Sequence, residues 1–493
     1  MLELAPSPAW GSPNSSRVGK DVTSANLSAD SLLSGFHAPE ISDGEQFRWT
    51  ESSFRLEIPN GSAPFLVVDA MSYFRGEVQT LRLETPKGAE ITSFALAEGR
   101  RNYVVRLPGL RPLRIAGRLN RTIPPHMRHY DSRELGIRIY SLRLADETSA
   151  WIAPPPVGLC LETCARCNLA CLTCPTRAGR GVRDEGMSEM PLDWALEVMR
   201  SSPECRTFAI HGNGEPFLSD TFKGVLRSQP DGDPRFVFST NLTLLDEGLL
   251  DLVTLPSVRE ITVSLDAARP ETFRLIRGTE MEPILANLRG LVSRRNANGR
   301  PTPRLLAHMV LMRMNISELE DMVRLAAEFG LDGLFLWHAN EGRGYDWVVE
   351  RDGFTFDYRQ QSLRAVPEEC NRLLERALQL AADLGLEVRY DAVLRDFLVP
   401  EAASSRRRPC LMDCPYPWKE AYVLSDGRVQ FCPLQDIDKP LGRIDGRAGI
   451  NEVWNSPASK RVRAMLASGQ VPDSCRGAGC KYVRCAEEAP SCR

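Results

Sequence analysis

Three cysteines define the chemistry this chain could carry out. In the run T-C-A-R-C-N-L-A-C-L-T-C-P (163–175), Cys167, Cys171 and Cys174 stand in C-x3-C-x2-C spacing, just after an apolar segment. Thiolates are soft ligands that suit iron–sulfur clusters or zinc, and this spacing lets one loop wrap a cluster corner by corner. Three ligands on a four-iron cluster leave one iron open to a reactant. Cys160, Cys164 and Cys167 repeat the spacing, but Cys160 falls on the preceding strand, so Cys160 and Cys164 read as packing thiols. Zinc closes a tetrahedron of four protein ligands. Cys164 could supply the fourth, so the triad alone leaves zinc open.

A second cysteine group lies at the other end. Cys410, Cys414, Cys432, Cys475, Cys480, Cys485 and Cys492 fall within the last 84 residues of the 493. Clustered cysteines in a chain with no visible secretory signal point to metal or redox chemistry more than to a disulfide framework. A small cysteine-rich region cannot rely on its core alone, so some metal is expected there, with a zinc ribbon as the alternative to an iron–sulfur cluster.

The elements that must position these groups follow from the apolar patterning. Residues 1–45 are rich in Ser, Pro, Gly and Ala and read as a flexible tail. From 46 to 150, short alternating runs such as FRLEI and NYVVRL separated by turns suggest a β-sandwich-like domain. Pro154-Pro155-Pro156 looks like a linker. From 155 to 400, strands over 159–163, 207–211, 235–239, 259–265, 304–311 and 333–338 alternate with helices, which implies parallel βαβ units. Six units favour a partial (β/α)6 barrel over a closed eight-fold one. Residues 405–493 form a small cysteine-rich domain with a hairpin over 423–432 around Ser425-Asp426-Gly427.

Polar residues cluster where the strands end, the face on which parallel α/β barrels build their sites. The second strand runs into His211-Gly212-Asn213-Gly214-Glu215-Pro216, the third into Ser239-Thr240-Asn241, and the fourth into Ser264-Leu265-Asp266, with Arg277-Gly278 after a short helix. Glycine permits close backbone approach, a carboxylate accepts hydrogen bonds from an ammonium group, and Arg pairs with a carboxylate. Val310–Asn315 and Phe335–Asn340 should line a substrate cavity, with His338 either a substrate contact or a packed ring.

Taken in order, these segments resemble the radical S-adenosylmethionine (SAM) enzymes. Asn168 and Leu169 after the first cysteine and Pro175 after the third belong to the match; Thr173 stands where the family usually has an aromatic residue, and Asn213 and Leu242 stand in place of glycines. The resemblance implies that Cys167, Cys171 and Cys174 hold a 4Fe–4S cluster. It implies that Gly214 and Glu215 bind the SAM amino group, Asn241 its ribose, and Ser264 and Arg277 its carboxylate. The C-terminal pattern Cys414-x12-Gly427-x4-Cys432, followed by Cys475-x4-Cys480-x4-Cys485, resembles SPASM/twitch auxiliary-cluster domains. That implies at least one auxiliary 4Fe–4S cluster on Cys414, Cys432, Cys475 and Cys480, with Cys485 and Cys410 as substitutes. The resemblance covers 155–493 and leaves the β-rich domain out.

Composition bounds the partners. Net charge is −3 with no basic domain, against a nucleic-acid binder. No run reaches the ~18 apolar residues of a membrane span, and the N-terminus has no basic segment leading into an apolar core, so a cytoplasmic location is expected. The expected activity is reductive SAM cleavage and hydrogen abstraction, an oxidation assisted by the auxiliary cluster and fed by a flavodoxin- or ferredoxin-like one-electron reductant. A β-rich N-terminal domain and no visible winged-helix leader-binding domain tilt the expected substrate toward a saccharide-related or small metabolite. A ribosomal peptide maturase is the alternative, and a non-catalytic zinc or iron–sulfur protein a further one.

Overall fold

The computed structural model describes residues 24–483 except 28, 43–44, 60–62, 73–78, 97–98, 109–111, 125–130, 148, 175–188, 230–234, 300–301, 340–344, 391–393, 395–413, 447–448, 476–479 and 481–482. Alternating side chains build its first sheet. Strand β5 (Phe65–Ser72) pairs antiparallel with β8 (Gly99–Arg106) on one side and β10 (Arg138–Ala145) on the other. The long β4 (Glu45–Ile58) pairs with β10 through Arg48 and Trp49 and with β9 (Leu113–Leu119) through Ser53–Ile58. Strands β6 (Gln79–Glu84) and β7 (Glu90–Leu96) extend the β9 side. One strand thus serves two halves, whose inner faces enclose Phe54, Leu56, Ile58, Leu66, Leu81 and Ile115.

The tail is shorter than the composition suggests. Strand β1 (Ser24–Asn26) pairs with β10, while β2 (Leu32–Phe36) and β3 (Glu40–Ser42) pair with β4. These are short edge strands held by backbone bonds such as Leu27 N–H to Leu142 O (2.7 Å). They lack the alternating apolar pattern that reveals a strand in sequence.

The second sheet holds the six expected parallel strands in sequence order: β11 (Gly158–Leu161), β12 (Thr207–Ile210), β13 (Arg235–Thr240), β14 (Val258–Ser264), β15 (Arg304–Leu311) and β16 (Gly333–His338). A hairpin, β17 (Val348–Arg351) and β18 (Phe354–Asp357), follows β16. Two further parallel strands flank the six: β19 (Glu387–Tyr390) beside β16, and β20 (Glu420–Val423) beside β11. The C-terminal hairpin, β20 with β21 (Arg428–Gln430), therefore starts three residues earlier than expected and joins the barrel sheet. Glu420 hid the strand, because a charged residue at its start breaks the apolar signal.

Helices cover the outer face. Helix α1 (Leu192–Arg200), α2 (Asp220–Ser228), α3 (Glu247–Val253), α4 (Pro270–Arg277), α5 (Glu282–Ala297), α6 (Leu319–Glu328) and α7 (Pro367–Asp383) follow in turn. Ser219 caps α2 by accepting the Phe222 N–H at 3.0 Å, and Asp246 caps α3 by accepting the Leu249 N–H at 2.8 Å. Gly278 ends α4 with φ 73°, a left-handed turn open to glycine. Phe208, Phe222, Phe236 and Phe238 are fully buried between strands and helices; each contributes about 1.5–3 kcal/mol by leaving water.

The same core runs without a break into the C-terminal region through Trp418, Val423, Phe431, Trp454 and Leu466. The proline linker is strapped to this region: Asn455 bonds both N–H and C=O of Ala153 at 3.0 Å, and Trp454 Nε1 donates to Pro154 O at 2.6 Å.

Candidate active site

The loop after β11 carries the cysteine triad. Cys160 and Cys164 pack as expected: Cys160 Sγ donates to His211 O at 3.3 Å, and Cys164 Sγ accepts the Arg166 N–H at 3.3 Å. Cys167 is half-buried and receives the Asn241 side-chain amide at 3.8 Å. Cys171 is 7% exposed, with its thiol donating to Arg277 O at 3.9 Å. The Cys174 N–H bonds back to Cys171 O, closing the turn. Burial pushes the Cys171 thiol up to about 11, with Arg277 opposing. Burial likewise raises Cys167, and Glu215 adds to that while Arg277 again opposes. As thiolates, all three cysteines repel one another, so they lie close together. Among the described residues, no three His, Cys, Asp or Glu groups converge on a single metal ion.

The strand-end segments surround this loop. Gly214 must be glycine, because a Cβ there would meet the carbonyl oxygens of Cys164 and Arg166 far inside contact distance. Glu215 follows, 2% exposed, its N–H bonded to Arg166 O at 2.8 Å. Its carboxylate accepts from Thr240 Oγ1 (2.6 Å), Phe217 N–H (3.2 Å) and Asn241 N–H (2.7 Å). Burial still raises its pKa above the ordinary carboxylate value. Asn241, buried, also donates to Asn168 Oδ1 at 2.9 Å, which ties β13 to the triad loop. Ser264 is half-buried at the end of β14, in register with His308.

Arg277, 8% exposed, pairs with Asp266 at 3.0 Å. Burial alone would pull the guanidinium's pKa down, but Cys171 and Asp266 outweigh it and keep the charge. Among the described residues, its Nε has no hydrogen-bond partner. A buried guanidinium N–H left unpaired costs free energy, so the site calls for an acceptor that the described residues do not supply. Three neighbouring thiols, a buried carboxylate and this donor fit a 4Fe–4S cluster carrying SAM.

Several supporting residues were not among the expected SAM or cluster contacts. Asp266 takes φ 64° and accepts the Val310 N–H at 2.8 Å, fixing both itself and Arg277. Glu162 accepts the Asn213 N–H at 2.9 Å and the Ser425 hydroxyl at 3.2 Å, joining the glycine turn to the C-terminal hairpin. From β17 and its lead-in, Trp347 Nε1 donates to Leu172 O at 2.9 Å, while Arg351 donates to Leu275 O at 2.8 Å and also bonds Ala170 O. Only Asp266 had a cue, as a charge in an apolar strand end facing a downstream Arg.

The inner wall of the sheet carries His211, His308, Phe335 and Trp337. His211 is exposed and His308 half-buried, and desolvation lowers the pKa of each ring below the ordinary histidine value. Phe335 lies 5.5 Å from both His308 and Trp337, and Trp337 is 37% exposed. His338, by contrast, is buried and accepts the Leu363 N–H at 3.3 Å, so it packs and does not face a cavity.

The second cysteine group also converges. Burial and the charges of Cys480 and Cys475 raise the Cys414 thiol. Burial, Cys414, Cys475 and Cys480 raise Cys432. Burial pushes Cys475 up to about 11, with Cys480 adding. Four half-buried thiols, from positions up to 66 residues apart, thus lie within reach of one another's charge. Cys410, Cys485 and Cys492 lie outside the described residues.

Residues 161–326 match the family model described as the radical SAM superfamily, and residues 414–481 that of an iron–sulfur cluster-binding domain, SPASM. The chain is 24% identical over 341 residues to the mycofactocin maturase MftC of Mycobacterium ulcerans, covering 67% of this chain and 84% of that protein. It is 22% identical over 334 residues to the PqqA peptide cyclase of Xanthomonas oryzae pv. oryzae, covering 66% and 80%. Among solved structures, Streptococcus suis SuiB bound to precursor peptide SuiA aligns at TM-score 0.47 and 13% identity, covering 63% of this chain and 67% of that one. The anSMEcpe protein with bound AdoMet and Cp18Cys peptide aligns at TM-score 0.45 and 18% identity, covering 68% and 95%.

Proposed function

Because the chain is a radical SAM protein with a SPASM domain, we propose that it is an enzyme that modifies a peptide by hydrogen-atom abstraction, with net oxidation of the substrate. The observation that carries the reading is the geometry joining the triad to the strand ends: Asn241 donates to Cys167 Sγ and to the buried Glu215 carboxylate, and the Cys171 thiol donates to the carbonyl of Arg277. Both relatives named above are a peptide cyclase and a maturase. They favour a peptide over the saccharide-related substrate that the sequence suggested.

Bound at Cys167, Cys171 and Cys174, a 4Fe–4S cluster would supply the electron that cleaves SAM to methionine and a 5′-deoxyadenosyl radical. The protein's part is binding and shielding. Glu215, held by Thr240 and Asn241, would accept hydrogen bonds from the SAM ammonium. Arg277, fixed by Asp266, would direct its spare Nε toward the carboxylate, with Ser264 beside it. Gly214 would let the backbone come close, and Asn241 would take the ribose. His211, His308, Phe335 and Trp337 would form the wall against which the substrate lies. Cys414, Cys432, Cys475 and Cys480 would hold an auxiliary cluster that accepts the electron left after abstraction. A flavodoxin- or ferredoxin-like reductant would supply the triad. Among the described residues, no helix is long and apolar enough to cross a membrane, and we place the enzyme in the cytoplasm.

The test adds a synthetic peptide library to the anaerobically reconstituted, reduced enzyme with SAM. We expect 5′-deoxyadenosine to rise and a peptide to lose mass by two hydrogens. A rise with sugars or sugar nucleotides and none with peptides would overturn the peptide reading.

A further inference from the structure

The hairpin after β16 grips the triad loop from a part of the chain that none of the strand-end motifs includes. Strands β17 and β18 meet in register at Arg351 and Phe354, so the turn is the two residues Asp352 and Gly353. Both take positive φ, 51° and 77°, the backbone that matches the twist of a two-residue hairpin. Arg351, the last residue of β17, reaches two separate segments. One Nη of its guanidinium donates to Leu275 O at 2.8 Å and to Ile276 O at 3.3 Å, and the other bonds Ala170 O. Leu275 and Ile276 lie in the last turn of α4, where carbonyls lack helical partners and a cation is favoured. Ala170 immediately precedes Cys171. Just before β17, the buried Trp347 donates its indole N–H to Leu172 O at 2.9 Å, on the other side of Cys171. The two segments also meet directly, through the Leu172 N–H to Ile276 O at 2.8 Å and the Cys171 thiol to Arg277 O. Gly278 leaves room for the clamp: a Cβ there would stand 3.0 Å from the Arg351 guanidinium.

We propose that Arg351 is a positioning residue for SAM binding: it holds the cysteine loop and the end of α4 at one separation, and so sets where Arg277 stands relative to Cys171. The inference rests on the reading that the triad holds a cluster and Arg277 the SAM carboxylate, and it adds that the hairpin governs SAM affinity. An Arg serves here because its planar fork reaches the carbonyls of two segments at once, whereas a Lys offers a single point charge. No bond is made or broken at Arg351.

The test uses the full chain, reconstituted with iron and sulfide and reduced. SAM is titrated in, and its dissociation constant is read from the change in the cluster's electron paramagnetic resonance signal. Iron content and the urea midpoint are measured alongside. Arg351→Met should raise the constant about 10- to 100-fold at unchanged iron content, as is typical when a residue that orients a metal site's ligands is removed. Arg351→Lys should fall between it and the parent. Arg274→Ala breaks an exposed pair between α4 and Asp352 and should match the parent; a loss equal to that of Arg351→Met would overturn the assignment to Arg351. An unchanged constant in Arg351→Met with iron retained overturns the inference, even where the urea midpoint falls, because that marks a purely structural role. If Arg351→Met loses its iron, Trp347→Phe, which takes the indole N–H from Leu172 O, carries the comparison, and an unchanged constant there overturns it too. A parent that holds no iron, or whose signal SAM does not move, overturns the underlying reading and the inference with it.

Discussion

The two cysteine sites solve one problem in opposite ways. The triad sits on a single eight-residue stretch, and its surroundings come from the ends of neighbouring strands: Asn241 from β13, and Asp266 and Arg277 around α4. The C-terminal site would draw Cys414, Cys432, Cys475 and Cys480 from three separate loops, whose charges reach one another. The first is a local device laid on a rigid scaffold, with one donor left unpaired for a ligand. The second exists only when distant parts of the chain have folded together. Local sites should therefore lose ligand affinity when altered, and assembled sites should lose loading.

The largest effect should come at the buried pair. Arg277→Met leaves Asp266 charged, buried and unpaired, which should cost about 3–5 kcal/mol of stability, read as a lower midpoint in urea. A change below ~1 kcal/mol would mean that the Val310 N–H alone is enough to hold the Asp266 carboxylate. Next, Cys432→Ala should remove roughly half of the bound iron, as expected for one of two four-iron clusters. SAM binding should survive. Loss of SAM binding together with iron would break the distinction between the two sites.

Glu215→Gln keeps the shape but drops the charge. We expect the SAM dissociation constant to rise about 10- to 100-fold, from the ~1.5–3 kcal/mol of a charged hydrogen bond. Equilibrium dialysis measures this, and an unchanged constant would remove Glu215 from the ammonium site.

The smallest effect is a pH trend on β20. Burial raises the Glu420 pKa. The folded state then holds the proton more tightly than the unfolded chain, so this group costs stability as pH rises through its folded pKa, and costs nothing below its unfolded value. Glu420→Gln should gain stability over the parent at pH 8 and match it near pH 4, measured by thermal melts. The opposite trend would place a cation beside Glu420.

What the sequence revealed follows the same division. The six barrel strands could be read because their apolar runs end in polar motifs. Cys167, Cys171, Cys174 and Glu215 stood out because their spacing is local. Strand β20 was hidden by Glu420, and its place beside β11 is a long-range pairing that no window can show. Arg351 and Trp347 hold the triad loop across 181 and 175 residues, so nothing near the cysteines announces them. The exclusion of residues 24–42 from the ordered sheet failed because those strands are held by backbone bonds with little apolar pattern.

The most direct test is anaerobic reconstitution, reduction, addition of SAM and quantification of 5′-deoxyadenosine, for the parent chain and for the chain with Cys167→Ala, Cys171→Ala and Cys174→Ala. The account predicts product from the parent and none from the triple variant, which keeps its C-terminal iron. Product from both, or a fully iron-loaded parent that forms none even with peptide present, would contradict it.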